Sequence, residues 1–173
     1  PLTSETLLAM KADGITRAIA FRQYPQFSCT TSGSSLNHLW RELYRLNMEN
    51  IFTWSVIDRW FQHPLFIKAV TKRILLGLEK FPLEDIQKLG GSPIIVFSAH
   101  SLPMKVVNKG DPYSQEVAAT VSLVMAELNS QLSQGTLLGG GQGQGQGGPL
   151  TYLLSWQSQV GPLPWLGPQT GEV

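Results

Sequence analysis

The alternation of apolar and polar positions along the chain centres on the stretch Pro93-Ile94-Ile95-Val96-Phe97-Ser98-Ala99-His100-Ser101-Leu102-Pro103-Met104. Its apolar residues run without interruption into Ser98, the pattern of a parallel strand covered on both faces, and the run is too short for an ordinary helix. A buried strand is therefore predicted here, with Ser98, His100 and Ser101 just past its carboxyl end and Pro103 preventing its continuation. On either side the periodicity switches repeatedly between two and 3.6. Leu7, Leu8 and Met10 mark a weak helix over residues 3–11, with Ser4 and Glu5 at its start and Asp13-Gly14 ending it. A short apolar strand follows over residues 17–21. Leu36, Leu39, Trp40, Leu43 and Leu46 then recur at helical spacing, ahead of a second strand over residues 52–57. Pro64 opens a long helix whose Phe66, Val70, Ile74, Leu75 and Leu78 share one face. After the central strand, Asn108-Lys109-Gly110 forms a turn, Asp111 is placed as an N-cap and Pro112 as the first helical residue of a helix carrying Val117, Val121, Val124 and Leu128 inward. A last strand is predicted over residues 151–155. Strands alternating with helices imply an α/β fold with parallel sheets, right-handed crossovers and helices on both faces.

Composition narrows the picture only a little. The 173 residues are 42% apolar and 14% charged, which fits a packed core and not a disordered chain. A net charge of +1 with no basic run leaves no footprint for nucleic acid, and no apolar stretch approaches the roughly 20 residues that cross a bilayer. The single cysteine, Cys29, excludes an internal disulfide and favours a reducing compartment. Residues 139–148 are only Gly and Gln, too flexible and too poor in apolar groups to pack, and are read as a disordered loop. Gly143, Gly145 and Gly148 match a dinucleotide-binding spacing, but no strand leads in and no helix follows, so the match is an accident of low complexity.

Candidate chemistry gathers where the predicted strands end. In open α/β sheets ligands sit beyond the carboxyl ends of the strands, and that edge receives Asp58, Arg59 and Trp60, then Ser98, His100 and Ser101, then Trp156, Gln157 and Ser158. Two readings of His100 stand: a presented, reactive imidazole, or a satisfied histidine at a strand end. The hydroxyl-rich run 28–35 likewise has two, capping of the following helix by Ser34 or Ser35, or an anion site built from backbone N–H groups. A serine hydrolase is disfavoured, because no G-x-S-x-G elbow precedes a helix.

The string Phe97-Ser98-Ala99-His100-Ser101-Leu102-Pro103-Met104 resembles ferrochelatase of the animal and fungal mitochondrial type. So do Val107-Asn108-Lys109-Gly110-Asp111-Pro112-Tyr113 and Trp156-Gln157-Ser158-Gln159-Val160-Gly161-Pro162-Leu163-Pro164-Trp165-Leu166-Gly167-Pro168-Gln169-Thr170. Tyr24-Pro25-Gln26-Phe27-Ser28-Cys29, Gly33-Ser34-Ser35-Leu36 and Trp54-Ser55-Val56-Ile57-Asp58-Arg59-Trp60 agree in the same order, leaving residues 139–148 as an insertion peculiar to this chain. The resemblance implies a chelatase-like fold of two similar Rossmann-like domains facing each other across a cleft, with only part of each present. Residues 1–62 would be the end of the first and residues 63–173 most of the second. It implies an internal fragment of a lyase that inserts Fe(II) into protoporphyrin IX, with any presequence outside the sequence.

By the same resemblance His100 is the proton acceptor, the iron ligand, or both, and His63, three residues after Trp60, belongs to the active site. Phe61 departs from the proline usual after that tryptophan, which leaves the local loop shape open. Tyr24, Trp60, Pro103 and Trp165 would wall the porphyrin, and Ser158 would hydrogen-bond a propionate. Core packing is the alternative reading for the aromatic residues. Cys29 stands at the place of one ligand of a [2Fe-2S] cluster, although one cysteine cannot hold a cluster and a small buried hydrophobe is the other reading. The resemblance further implies a mitochondrial inner-membrane location on the matrix side and a possible homodimer. Peripheral membrane association would run through the apolar lip Pro162-Leu163-Pro164-Trp165-Leu166, tryptophan being favoured at that interface. The competing function is a non-catalytic, truncated porphyrin-binding protein that lacks the carboxylate half of the site. From composition alone, deleting residues 139–148 from the whole protein should leave activity unchanged in a metal-insertion assay; a large loss would give the insertion an active part.

Overall fold

The computed structural model describes residues 2–80, 93–134 and 150–173; the predicted Gly/Gln loop lies outside the described residues. The chain forms two compact units, residues 1–60 with 111–113, and residues 61–110 with 114–173.

In the first unit, helix α1 (Thr3–Ala12) begins where the Leu2 N–H donates to Glu5 Oε2 at 3.0 Å, so an acidic side chain satisfies a backbone donor that the helix leaves open. Strand β1 (Arg17–Phe21) pairs in parallel with β2 (Thr53–Ile57), from Arg17 opposite Thr53 to Phe21 opposite Ile57. Helix α2 (Ser34–Arg45) makes the crossover between them. Its leucines at helical spacing are there for the core: Leu43 joins Leu7, Met48 and Phe52, and Leu39, Trp40 and Trp54 pack around that cluster. The cap of this region is neither Ser34 nor Ser35. One turn of π-helix (Cys29–Gly33) precedes α2, and Ser28 caps it by accepting from the Thr30 N–H at 3.2 Å. The extra turn moves the first free N–H groups six residues upstream of the predicted start, so the capping hydroxyl moves with them.

In the second unit, α3 (Pro64–Leu78) is capped by His63, whose Nδ1 accepts from the Leu65 N–H at 3.3 Å, with Pro64 at the first position where its missing N–H costs nothing. Ile67, Thr71 and Leu75 are its buried residues, and the predicted stripe of Phe66, Val70, Ile74 and Leu78 flanks them half-buried. Strand β3 (Ile95–His100) pairs in parallel with β4 (Tyr152–Gln157). Between them lie a short helix α4 (Met104–Val107), absent from the sequence expectation, and α5 (Tyr113–Ser133). Leu75 of α3 meets Val121, Met125 and Leu128 of α5 in the core, against which Ile95, Phe97 and Leu154 of the sheet pack.

Two expectations for β3 are corrected. The strand does not stop at Phe97 but carries Ser98, Ala99 and His100 within it, and β4 similarly runs on to Gln157. Nor is it covered on both faces: burial alternates residue by residue, and Val96 is 47% exposed. With helix α5 and the leucine cluster on one side, the period-two geometry of a strand turns Ile95, Phe97 and Ala99 inward and Val96, Ser98 and His100 outward. The uninterrupted apolar run hid that division. Leu128 is fully enclosed at the centre of this core, so Leu128→Ala should cost about 2–5 kcal/mol in denaturant unfolding of the whole protein. A loss under about 1 kcal/mol would mean the site collapses around the smaller side chain.

Candidate functional site

Parallel pairing delivers the carboxyl ends of β3 and β4 to one edge of the second unit. His100, the last residue of β3, is exposed and stands in register with Gln157, the last of β4. The ladder runs one step further, since the Ser101 N–H donates to the Gln157 carbonyl at 2.8 Å. Immediately beyond, Ser158 takes a left-handed backbone with φ of 70°, uncommon for a residue with a Cβ, and the chain turns off the sheet.

The segment after β4 then folds back over the segment after β3. Met104 N–H donates to the Pro164 carbonyl at 2.9 Å and Leu166 N–H to the Leu102 carbonyl at 2.9 Å. Between these two bonds Pro103 lies opposite Trp165 in an antiparallel bridge. The buried Ser101 hydroxyl adds a bond to the Leu166 carbonyl at 2.7 Å. A proline is tolerated at this bridge because the neighbouring residues supply the donors that it lacks. Four predicted residues, His100, Pro103, Ser158 and Trp165, are thus brought to one edge: an exposed histidine, a serine in left-handed backbone, and a half-buried tryptophan bridged through its backbone to a proline.

His63 occupies the start of α3, and the bond from Leu65 takes the lone pair on Nδ1, so the neutral ring carries its proton on Nε2. The remaining predicted residues belong to the first unit. Tyr24 is 55% exposed with the Arg22 guanidinium 5.4 Å from its ring centre. Trp60 is committed to structure: its indole N–H donates to the Arg22 carbonyl at 2.7 Å, its backbone N–H to the Pro25 carbonyl at 2.8 Å, and its ring stacks on Phe21 at 6.0 Å. Arg22 is itself buried and donates to the Ser32 carbonyl.

Cys29 is exposed, and its backbone N–H donates to Asp111 Oδ2 at 2.7 Å. The same carboxylate accepts from the Ser28 hydroxyl at 3.0 Å and, through Oδ1, from the Tyr113 N–H at 3.0 Å. Sequence reasoning placed Asp111 as an N-cap, which the Tyr113 bond agrees with, but missed its bonds to Ser28 and Cys29, more than 80 residues away in sequence. No local pattern carries such a contact. Desolvation, then the adjacent Asp111 carboxylate, pushes the Cys29 thiol above the ordinary thiol range. Among the described residues no group of three or more His, Cys, Asp or Glu side chains is placed to hold a metal ion. Thr170, also unforeseen, bonds to hydroxyls of both β3 and β4.

A family model described as ferrochelatase matches residues 1–173. The chain is similar to mitochondrial ferrochelatase of Dictyostelium discoideum, 46% identical over the full chain and 41% of that relative. It is 48% identical to the mitochondrial ferrochelatases of Bos taurus and Homo sapiens over 99% of the chain and 36% of each relative. The chain therefore spans well under half the length of these curated relatives.

Replacing the charged neighbour of Cys29 tests the electrostatic reading of that loop. Asp111→Asn keeps a side-chain acceptor but removes the anion, so the thiol pKa should fall and alkylation of Cys29 at neutral pH should accelerate. An unchanged alkylation rate would mean the carboxylate does not govern the thiol.

Proposed function

This chain belongs to the ferrochelatase family, and from that premise we propose that the whole protein inserts ferrous iron into protoporphyrin IX, with His100 as proton acceptor. The observation that carries the reading is the exposed imidazole at the carboxyl end of β3, in register with Gln157 and beside the Pro103–Trp165 bridge. Metalation replaces two pyrrole N–H protons by one Fe(II), so two protons must leave the macrocycle for each iron that enters. Imidazole is the side chain whose unperturbed titration lies nearest neutrality, and each proton it accepts can pass on to water before the next. His100 would take these protons at the open edge of the sheet and, as a nitrogen donor, would offer the incoming iron a ligand.

A flat apolar macrocycle needs walls, which Trp165 and Pro103 would supply from the second unit, while the Ser158 hydroxyl would donate to a propionate. The left-handed turn at Ser158 supports this by holding that serine off the strand path. Tyr24 is the candidate aromatic contact of the first unit. Trp60, with its indole N–H and ring already engaged, would act mainly by shaping its loop, and His63 by fixing the start of α3. Exposed Leu163 and Val160 near Trp165 support an apolar lip that would rest on a membrane surface; among the described residues no helix is long and apolar enough to cross a membrane. A mitochondrial location, on the matrix face of the inner membrane, and a homodimer complete the proposal.

A [2Fe-2S] cluster takes four cysteine ligands, and this sequence holds Cys29 alone. The residues present do not fit such a group by themselves; any cluster would draw its other thiolates from elsewhere in the protein, and no step of the chemistry here runs through it. The function is tested by His100→Ala in the whole protein: metal insertion should fall to the limit of detection while porphyrin binding, followed by fluorescence, persists. Turnover close to that of the unaltered protein would remove His100 from the mechanism.

A further inference from the structure

The outward face of the β3–β4 pair carries a hydroxyl cluster one rung below His100. Ser98 and Ser155 are register partners across the two strands, as His100 and Gln157 are at the next rung on the same face, about 6.6 Å further along. Thr170, at the start of a short 3₁₀ turn (Thr170–Glu172), lies against the lower rung. Its Oγ1 is 2.7 Å from Ser98 Oγ and 3.0 Å from Ser155 Oγ, and it also reaches the Trp156 carbonyl at 3.1 Å. Ser155 is wholly buried and its hydroxyl reaches the Phe97 carbonyl at 3.2 Å.

Three hydroxyls carry three protons, and these distances admit a chain in which Ser98 donates to Thr170 and Ser155 to the Phe97 carbonyl, while the one Thr170 proton is shared between Ser155 Oγ and the Trp156 carbonyl. The chain starts on β3, crosses Thr170 and β4, and returns to β3 one residue before Ser98. Backbone contacts hold the Thr170 end in place. The Trp156 N–H donates to the Pro168 carbonyl at 2.9 Å, and Gln169 is bridged to Trp156. The last stretch of β3 before the imidazole is therefore fastened through side chains as well as through its ladder.

We propose that Thr170 is a positioning residue for His100, fixing the Ser98 rung and so the direction in which the imidazole leaves the sheet. This rests on the reading of His100 as proton acceptor. Threonine suits the task because its β-branch restricts χ1 and holds the hydroxyl in one place between two strands. Valine has the same shape without the hydroxyl, and serine has the hydroxyl without the branch.

The test compares Thr170→Val, Thr170→Ser, Ser98→Ala and His100→Ala in the whole protein, measuring kcat, KM for each substrate, porphyrin affinity and the pH profile of insertion. Thr170→Val should lower kcat by roughly 10- to 100-fold, the scale expected for displacing a reacting group by about an ångström, with porphyrin affinity within about twofold. Thr170→Ser should recover most of that loss, because it restores the hydroxyl between the two strands. Ser98→Ala, which removes an exposed hydroxyl, should lower kcat in the same sense and serves as the reading if Thr170→Val does not fold. If His100→Ala is inactive while Thr170→Val or Ser98→Ala keeps normal kcat, the positioning claim is overturned and the catalytic reading survives. If His100→Ala turns over normally, both fall.

Discussion

Parallel pairing of β3 with β4 is the constraint on which the rest of the second unit depends. Two strands that run the same way cannot be joined by a hairpin, so a long crossover must intervene, and here α4 and α5 provide it. The same geometry brings both carboxyl ends to one edge, which sets Gln157 opposite His100 and starts two loops side by side. The loops then bind each other through Leu102, Met104, Pro164 and Leu166, and the edge becomes a built surface instead of two free ends. Had the strands been antiparallel, His100 and Ser158 would have emerged on opposite edges.

Packing energy and chemistry are divided between the two faces of this sheet. Half-buried Ile95, Phe97 and Leu154 pack against the buried Leu75, Val121, Met125 and Leu128, and each of those four enclosed side chains stabilises the unit by about 1.5–3 kcal/mol. The other face carries Ser98, Ser155 and His100, whose polar groups would be costly in that core without partners. The first unit repeats the strand–helix–strand theme with β1, α2 and β2, and its loop chemistry is governed by Asp111, one buried carboxylate accepting from three donors. A carboxylate so satisfied is stable in a buried place, and it holds Ser28 and Cys29 in a fixed turn.

Much of this was legible in the sequence, for a physical reason. Elements with a strong period or a firm boundary were read correctly: Arg17–Phe21 as a strand, Pro64 as a helix start, Val117 to Leu128 as an inward stripe. Unbroken apolarity at Ile94 to Phe97 misled, because a strand with one open face can still carry valine on it. Ser28 as cap in place of Ser34 or Ser35 depended on a π-helical turn, which no periodicity announces. At the candidate site, His100, Pro103, Ser158 and Trp165 came from motif resemblance and the structure places them on one edge. Thr170 and the wider role of Asp111 arise from contacts between segments 15 to more than 80 residues apart, which only the folded chain creates.

On the proposed function, the His100 imidazole would face a bound tetrapyrrole across open space at the sheet edge. A crystal structure of the whole protein with metal-free protoporphyrin bound measures this directly. A His100 ring nitrogen should then lie within hydrogen-bond reach of a pyrrole nitrogen, about 3 Å or one bridging water away. An imidazole bonded to backbone and separated from the macrocycle by other side chains would contradict it.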